Sequence, residues 1–350
     1  MAKSYTVLAT SHAQKFVKEI ASNIEASKSS IEFDVVHTLK MYPFFVVADI
    51  IFGDLSSSQR QELRDLAPWR EDLFREGIKG GTNRTGLAKW LRTDAYRMLV
   101  TYKMKWRQFI EDAYKQSVAH GKHGAIEQLW REAQKGVYLN FEECMQTLDE
   151  ALYANLDVTT SAVSWCHILL AQHREFQAEL REEILRHRLL PVEEWAEYIN
   201  RSDTLLAFSV LESSRLRPIL TFSNPESALE DKLVGKIIIP RNVDVIIDTF
   251  AINVDNPFWV NGTKFDPHRF EDLQPRQYRY HFWRFGFGPR QCLGKHVADR
   301  MIRALVAELL STFDISLVPV SPENDFALQH ESWVGLPEVA IKCVPIAPQF

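Results

Sequence analysis

The residue with the clearest chemical potential is a cysteine, Cys292, in a glycine-rich turn just before a predicted helix, where residues 285–294 read FGFGPRQCLG. A helix N-terminus offers partial positive charge and unpaired N–H groups, which favour the thiolate, the form of cysteine that binds metal. Gly288 can take a positive φ in the turn, and Gly294 lets the helix backbone approach a flat partner closely. Arg290 supplies a fixed cation near the place where an anionic group could sit. The segment therefore predicts a thiolate ligand for a metal.

Two other interpretations of this segment are weaker. A free cysteine in a turn is commonly just a small buried hydrophobe. The sequence Gly286-Phe287-Gly288 is similar to the start of a phosphate-binding loop, but Gln291 occupies the place of the third glycine and no basic P-loop sequence follows. A metal-binding thiolate remains the favoured interpretation.

Three further groups of residues could support chemistry. Glu212 and Arg215 lie three apart on a predicted helix that ends before Pro218, so they share one face and can pair, as many surface residues do. Residues 265–270 read FDPHRF. Thr159 is in phase with the apolar stripe of another predicted helix, where a threonine hydroxyl usually bonds to the carbonyl one turn earlier.

The cysteine segment resembles the haem-binding signature of cytochromes P450, FxxGxRxCxG. All five specified positions match, at Phe285, Gly288, Arg290, Cys292 and Gly294. The resemblance implies a haem b cofactor in which Cys292 is the axial iron ligand, Arg290 pairs with a haem propionate, and Phe285 shields the sulfur. The sequence differs from many family members at position 284, where it has Arg284 and they have proline.

The other two motifs fit the same resemblance. Glu212 and Arg215 resemble the ExxR motif of the family, and the FDPHRF segment resembles its PxRF segment at the expected place in chain order. By that resemblance Glu212, Arg215 and Arg269 form a buried ion network that locks the loop leading to the cysteine. Loss of one member should leave a buried charge unpaired.

The helix that carries Thr159 resembles the long central helix of cytochromes P450, whose acid–threonine step beside the haem delivers protons to bound dioxygen. Family members usually place the acid directly before the threonine, whereas Val158 stands there and Asp157 is one residue earlier. Three relays stay open. Thr159 could act with a water, Thr160 could take its role, or Asp157 could reach the site if a local bulge rotates it inward.

Hydrophobic periodicity predicts the elements that position these residues. Residues 11–155 have a helical pattern, and 142–170 carry a continuous apolar stripe, typical of one long helix. The elements predicted after it are a charged helix (173–187), an apolar helix (203–217), two strands around a turn (237–239 and 243–247), an irregular loop (256–280), a helix (293–313) and short terminal strands (315–341).

This pattern predicts a mainly α fold with a minor β-sheet, similar to a cytochrome P450 that lacks its N-terminal part. We expect a single partial domain over 1–350. Residues 1–230 are predicted to be mostly helical, and 231–350 to hold small strands, the PxRF-like segment, the thiolate loop and its following helix. Family members usually run a hundred or more residues further at the front, where eukaryotic enzymes hold a membrane anchor.

Composition limits the function classes. A chain of 350 residues with 46% hydrophobic content can bury a large core, and a net charge of -5 disfavours nucleic acid as the principal partner. Four cysteines without a CxxC pair indicate a reducing compartment. The apolar run 44–51 is interrupted by Asp49 and is shorter than the ~20 residues that span a membrane. No transmembrane helix or signal peptide is therefore predicted.

The resemblance implies a haem-dependent monooxygenase that inserts one atom of dioxygen into an apolar small molecule. Electrons would come from a separate NADPH-dependent reductase, and full-length relatives are expected at the endoplasmic reticulum membrane facing the cytosol. The motifs resemble those of filamentous-fungal enzymes of secondary metabolism. Two alternatives stay open: an isomerase or dehydratase of the same fold that needs no reductase, and a catalytically inactive truncated fragment.

Overall fold

The computed structural model describes residues 2–24, 29–121, 124–189, 192–318, 328–329 and 334–346. These residues are mainly helical with small antiparallel sheets, which confirms the predicted fold class. The α-helices are α1 (Ala2–Ser22), α2 (Val35–Leu39), α3 (Met41–Phe52), α4 (Ser57–Lys79), α5 (Leu87–Leu91), α6 (Asp94–His120), α7 (Ala125–Lys135), α8 (Phe141–Gln172), α9 (Arg174–Arg188), α10 (Val192–Asn200), α11 (Leu205–Leu216), α12 (Thr249–Asn253), α13 (Pro275–Tyr278) and α14 (Lys295–Leu310).

The chain divides into two compact units. One comprises Met1–Leu39 and Val158–Phe350, and the other comprises Lys40–Asp157. The division falls within α8, so this helix contributes to both cores. The expectation of one domain over 1–350 stays a prediction.

Aromatic side chains fill the core of the Lys40–Asp157 unit. The rings of Phe52 and Phe109 meet edge to face at 5.2 Å between centroids. Trp106 packs against both rings, and its indole N–H donates to the carbonyl of Met145 at 3.0 Å. The indole N–H of Trp106 therefore has a hydrogen-bond partner inside an apolar cluster.

One stretch, Val35–Phe52, is long and apolar enough to cross a membrane by length and composition alone, which modifies the prediction that none is present. The structure buries 61% of this stretch inside the protein, as it would a core helix. Asp49 within it pairs with Arg60 at 2.6 Å.

Helices α8 and α11 begin and end within about two residues of their predicted bounds. At the start of α8, Asn140 and Glu143 cap each other, each side chain accepting from the other's backbone N–H at 2.9 Å. The hydroxyl of Thr204 accepts from the N–H of Ala207 at 3.1 Å at the start of α11, which ends at Leu216, two residues before Pro218.

Helix α14 is the central buried helix of the unit formed by Met1–Leu39 and Val158–Phe350, and it packs along α1. Its Glu308 accepts from Gln14 of α1 at 3.2 Å and from Arg188 of α9 at 2.6 Å. A buried helix that follows the cysteine loop gives that loop a fixed end.

Two antiparallel sheets complete this unit. Strand β5 (Ala340–Pro345) lies between β1 (Ile31–Asp34) and β4 (Phe313–Leu317), and β2 (Lys232–Val234) forms a hairpin with β3 (Ile237–Ile239). Strand β1 was not predicted. Its four residues are too few to separate from the helical pattern around them.

The predicted pairing of 237–239 with 243–247 is wrong. Strand β3 pairs instead with β2, because Gly235 has φ +61° and closes a tight turn between them. Asn242 also has a positive φ, of 61°, and it directs the chain away from β3. Val245 pairs with Glu226 in an isolated β-bridge, which does not extend into a strand.

Candidate functional site

The loop around Cys292 is held by its own backbone. The N–H of Cys292 donates to the carbonyl of Phe285 at 2.9 Å, and the N–H of Gln291 donates to the carbonyl of Gly288 at 3.1 Å. Gly288 has φ +69°, a conformation that favours glycine. These bonds fold residues 285–292 back on themselves and place the thiol near the turn.

The structure places Cys292 three residues before α14, which begins at Lys295 with Gly294 at its N-cap. The helix is therefore shorter than the predicted 293–313. An ideal Cβ at Gly294 would lie 3.9 Å from the Cys292 Sγ, in ordinary contact. Glycine at this position keeps the space beside the sulfur open.

Of the four cysteines, Cys292 is exposed and the other three are buried. Burial raises the pKa of Cys144, and it raises the pKa of Cys166 and of Cys343 to about 12. Those three thiols therefore stay protonated, and Cys292 is the thiol that an external metal can reach.

The donor set around Cys292 fits a metal held inside a cofactor. Across the described ranges, no three His, Cys, Asp or Glu side chains lie close enough to hold a metal ion together. A metal that Cys292 binds as part of a cofactor would take its remaining ligands from the cofactor molecule. Arg290 is exposed two residues before Cys292 and can meet an anionic group of that molecule, while Phe285 is half-buried at the base of the loop.

The three charged side chains of the predicted network lie together. Arg215 donates Nε and Nη2 to the two carboxylate oxygens of Glu212, each at 2.8 Å, and both side chains are fully buried. Arg269 donates Nε to Glu212 Oε1 at 3.1 Å, and the N–H of Asp266 donates to the same oxygen at 2.9 Å. Glu212 thus has a partner for each oxygen, which a buried carboxylate requires.

Backbone carbonyls satisfy the rest of the Arg215 guanidinium. It donates to Asn253 at 2.8 Å, to Gly262 at 2.6 Å and to Lys264 at 3.2 Å. An ideal Cβ on Gly262 would lie 2.1 Å from the carbonyl oxygen of Val254, so only glycine allows this close backbone approach. Arg215 therefore organises the segment that runs toward the cysteine loop.

Asn253 connects this network to the cysteine loop, and sequence reasoning missed it. Its side chain is fully buried and hydrogen-bonds both the N–H and the carbonyl of Trp283, two residues before Phe285. The available signal was a single amide side chain inside the apolar run 250–254. Such a residue needs buried partners, but the sequence does not say where they are.

The predicted relay residues on α8 belong to different compact units of the chain. Thr159 and Thr160 are buried, with 6% and 0% exposure, while Asp157 falls in the other compact unit, 3.7 Å from Lys40. Helix α8 is α-helical from Phe141 to Gln172. The structure has no bulge at Asp157 within this helix, and the assignment of the relay residues stays a prediction.

Comparison with known proteins decides the family. The model of the family described as "Cytochrome P450" matches residues 1–343. The chain is a cytochrome P450. The predicted resemblance is thereby confirmed, and members of this family carry a haem whose iron is bound by a cysteine thiolate.

Similar P450s come from filamentous fungi. The chain is 50% identical to cytochrome P450 monooxygenase gliC of Aspergillus fumigatus over 91% of its length and 63% of that relative. It is 46% identical to cytochrome P450 monooxygenase verC of Clonostachys rogersoniana over 88% of its length and 61% of the relative. It is 41% identical to cytochrome P450 monooxygenase asaD of Aspergillus flavus over 88% of its length and 59% of the relative. The chain thus spans about three fifths of these relatives.

Proposed function

We propose that the chain binds a haem b through the Sγ of Cys292 and acts as a monooxygenase. The observation that carries this proposal is the exposed thiol of Cys292 in a loop with all five signature residues, while the other three thiols are buried. When bound, the haem iron would supply the oxidative chemistry, with dioxygen as oxidant and one oxygen atom inserted into an apolar small molecule.

The loop residues would orient the cofactor. The exposed guanidinium of Arg290 would pair with a haem propionate, because a planar cation suits a carboxylate. Phe285 would shield the sulfur, since its ring stands at the base of the loop that the Cys292 N–H closes. Gly288 and Gly294 would leave the flat cofactor room, because neither adds a side chain there.

The buried network would hold the loop in the geometry that ligation requires. Glu212 binds both Arg215 and Arg269, and Arg215 reaches the cysteine segment through Asn253. A ligand must be held to a fraction of an ångström for its metal, so rigid support behind it is part of the site.

The hydroxyls of Thr159 and Thr160 are the candidate groups for moving protons to the oxidant. Both are buried on α8, so water reaches them only through the protein interior. Asp157 is the acid nearest in sequence, and its carboxylate pairs with the ammonium of Lys40 at 3.7 Å. We therefore assign the hydroxyl role to Thr159, with Thr160 as the second candidate.

The partners follow from the same proposal. A monooxygenase needs two electrons for each turnover, and we propose that a separate NADPH-dependent reductase delivers them. The names of the relatives are those of monooxygenases from fungi, which supports a substrate of secondary metabolism. We further propose that the protein works at the endoplasmic reticulum membrane, facing the cytosol.

Spectroscopy and turnover test the proposal together. The purified protein loaded with haem should give the thiolate-type spectrum of the ferrous carbon monoxide adduct, and Cys292→Ala should lose it. Cys144→Ala removes a buried thiol and should leave the spectrum unchanged. Oxygenated product should appear only with NADPH and reductase, whereas product without reductase would favour an isomerase or dehydratase. A wild-type protein without the thiolate spectrum would refute the ligand assignment.

A further inference from the structure

Arg284, directly before the thiolate loop, makes two contacts at once. Its Nη1 donates to Asp299 Oδ1 at 2.7 Å, and both side chains are largely buried, with 14% and 9% exposure. The centre of its guanidinium lies 4.6 Å from the ring centroid of Phe285, so the cation stacks on that ring. The same side chain therefore touches both the loop and α14.

Asp299 divides its two oxygens between different partners. Oδ1 accepts from Arg284, while Oδ2 accepts from Arg300 at 2.6 Å and from Arg303 at 2.8 Å. Loss of Arg284 would leave Oδ1 without its arginine but would keep the carboxylate anchored to α14 through Oδ2. Loss of Arg284 should therefore disturb the cysteine loop more than it disturbs α14.

Arg284 and Asp299 lie on either side of Cys292 in the sequence. Arg284 stands eight residues before Cys292 and Asp299 seven residues after it, so their ion pair closes the segment that contains the thiol. Phe285, under the guanidinium, accepts the N–H of Cys292 through its carbonyl at 2.9 Å. We propose that Arg284 is a positioning residue that clamps Phe285 against α14 and so fixes the Cys292 thiol. This inference rests on the proposed role of Cys292 as iron ligand.

A general electrostatic role is the competing explanation, and the structure supplies a control for it. Arg284 and Arg300 each bring one positive charge to the same carboxylate, and each is mostly buried. The guanidinium of Arg284 lies over Phe285, whereas Arg300 binds Asn200 through its Nε at 2.6 Å. Arg284→Gln and Arg300→Gln therefore remove the same charge from Asp299, but only the first removes the clamp.

The reactivity of the thiol before haem is added is the first readout. The full chain is treated with iodoacetamide, and mass spectrometry follows the alkylation of Cys292, the exposed thiol of the four. A loosened loop should raise the rate for Arg284→Gln about fivefold, while Arg300→Gln should stay within about twofold of the wild type. If Arg284→Gln does not fold by circular dichroism, Arg284→Lys replaces it, with a rise of at least about twofold expected because the planar stacking is lost.

The second readout is the haem-loaded chain. Arg284→Gln should lose the thiolate-type carbon monoxide spectrum about fivefold faster than the wild type, and Arg300→Gln should not. Equal rates for the two variants, or no change in either, would overturn the clamp. A wild-type protein without the thiolate spectrum would instead refute the proposed function, and the alkylation rates would still decide whether Arg284 positions the thiol.

Discussion

The side chain of Asn253 pairs with both backbone polar groups of Trp283: its Nδ2 donates to the carbonyl at 2.9 Å, and its Oδ1 accepts from the N–H at 2.6 Å. Its own carbonyl accepts from Arg215 at 2.8 Å. Asn253 therefore joins the buried ion network to the segment that enters the cysteine loop. The network is thus joined to the start of the cysteine loop by hydrogen bonds as well as by chain continuity.

Asn253→Ala should loosen the cysteine loop. The N–H and carbonyl of Trp283 would lose their partners inside the protein, at a cost of about 1–3 kcal/mol in the free energy of unfolding. Urea denaturation measures this loss, and the rate of haem release from the loaded protein measures its effect on the loop. Asn224→Ala, at an exposed position, should change neither quantity. Equal stability of the two variants would show that Asn253 does not support the loop.

Glu212→Gln should prevent stable haem incorporation. The substitution keeps the size of the side chain but leaves two arginines without their carboxylate, and breaking a buried pair in this way costs about 3–5 kcal/mol. Haem content per protein, from absorbance, and the free energy of unfolding are the two measurements.

The matched control for Glu212 is an exposed pair with the same spacing. Glu132 and Lys135 lie three apart on α7 and pair at 2.7 Å, with 39% and 63% exposure. Glu132→Gln should cost less than about 1 kcal/mol, because solvent screens an exposed ion pair. Full haem content in Glu212→Gln would contradict the role of the network.

Short-range sequence signals were sufficient for the long helices and for the motif residues. The stripe over 142–170 became α8, and Pro218 marked the end of α11, because periodicity and proline act within a few residues. The spacing of Glu212 and Arg215 predicted that they can pair, whereas Arg269 was placed with them only through the family resemblance. Nothing in their spacing reveals that residues 54 to 57 apart meet at one carboxylate.

Two features could not be predicted: the backbone turn that selects the partner of β3, and a tertiary contact between residues that are distant in sequence. Strand β3 pairs with β2 and not with 243–247, because the choice depends on the positive φ of Gly235 and Asn242. Arg284 looked only like a departure from proline, although it meets Asp299 of α14 fifteen residues later. Such pairs require the folded backbone, since sequence pattern reports periodicity but not tertiary distance.

Thr159→Ala should uncouple oxygen consumption from product formation. The variant removes a buried hydroxyl from α8, and a positioned proton-transfer group contributes roughly 10²–10⁴-fold to a rate. We expect product to fall at least about tenfold while hydrogen peroxide rises, both measured per NADPH consumed. Thr160→Ala is tested in parallel, and the larger effect identifies the working hydroxyl.

An exposed threonine of the same helix provides the control for this pair. The hydroxyl of Thr147 donates to the carbonyl of Glu143 at 2.7 Å, so Thr147→Ala repeats the chemical change outside the core. The Thr147→Ala variant should give the same ratio of product to hydrogen peroxide as the wild type. If Thr159→Ala and Thr160→Ala both match it, proton delivery does not pass through α8.

His167→Leu should make the protein less sensitive to acid. Burial lowers the pKa of His167 to about 4 from its usual value near 6.5, and its Nδ1 lies 2.8 Å from the carbonyl of Val163. Between pH 6.5 and 4 the unfolded chain binds a proton that the folded protein does not, so the free energy of unfolding falls as the pH falls. The full loss for this group is on the order of 3 kcal/mol.

Urea denaturation at pH 7 and at pH 4.5 separates this effect from general acid destabilisation. The wild type should lose more stability between the two pH values than His167→Leu does, because leucine does not titrate. His37 is exposed, and His37→Gln should lose as much stability as the wild type. The Nε2 of His167 is buried with no hydrogen-bond partner among the described residues, so leucine removes an unsatisfied polar atom as well. We expect His167→Leu to be no less stable than the wild type at pH 7 and to show a flatter pH dependence. Identical pH dependences would show that folding does not lower the pKa of His167.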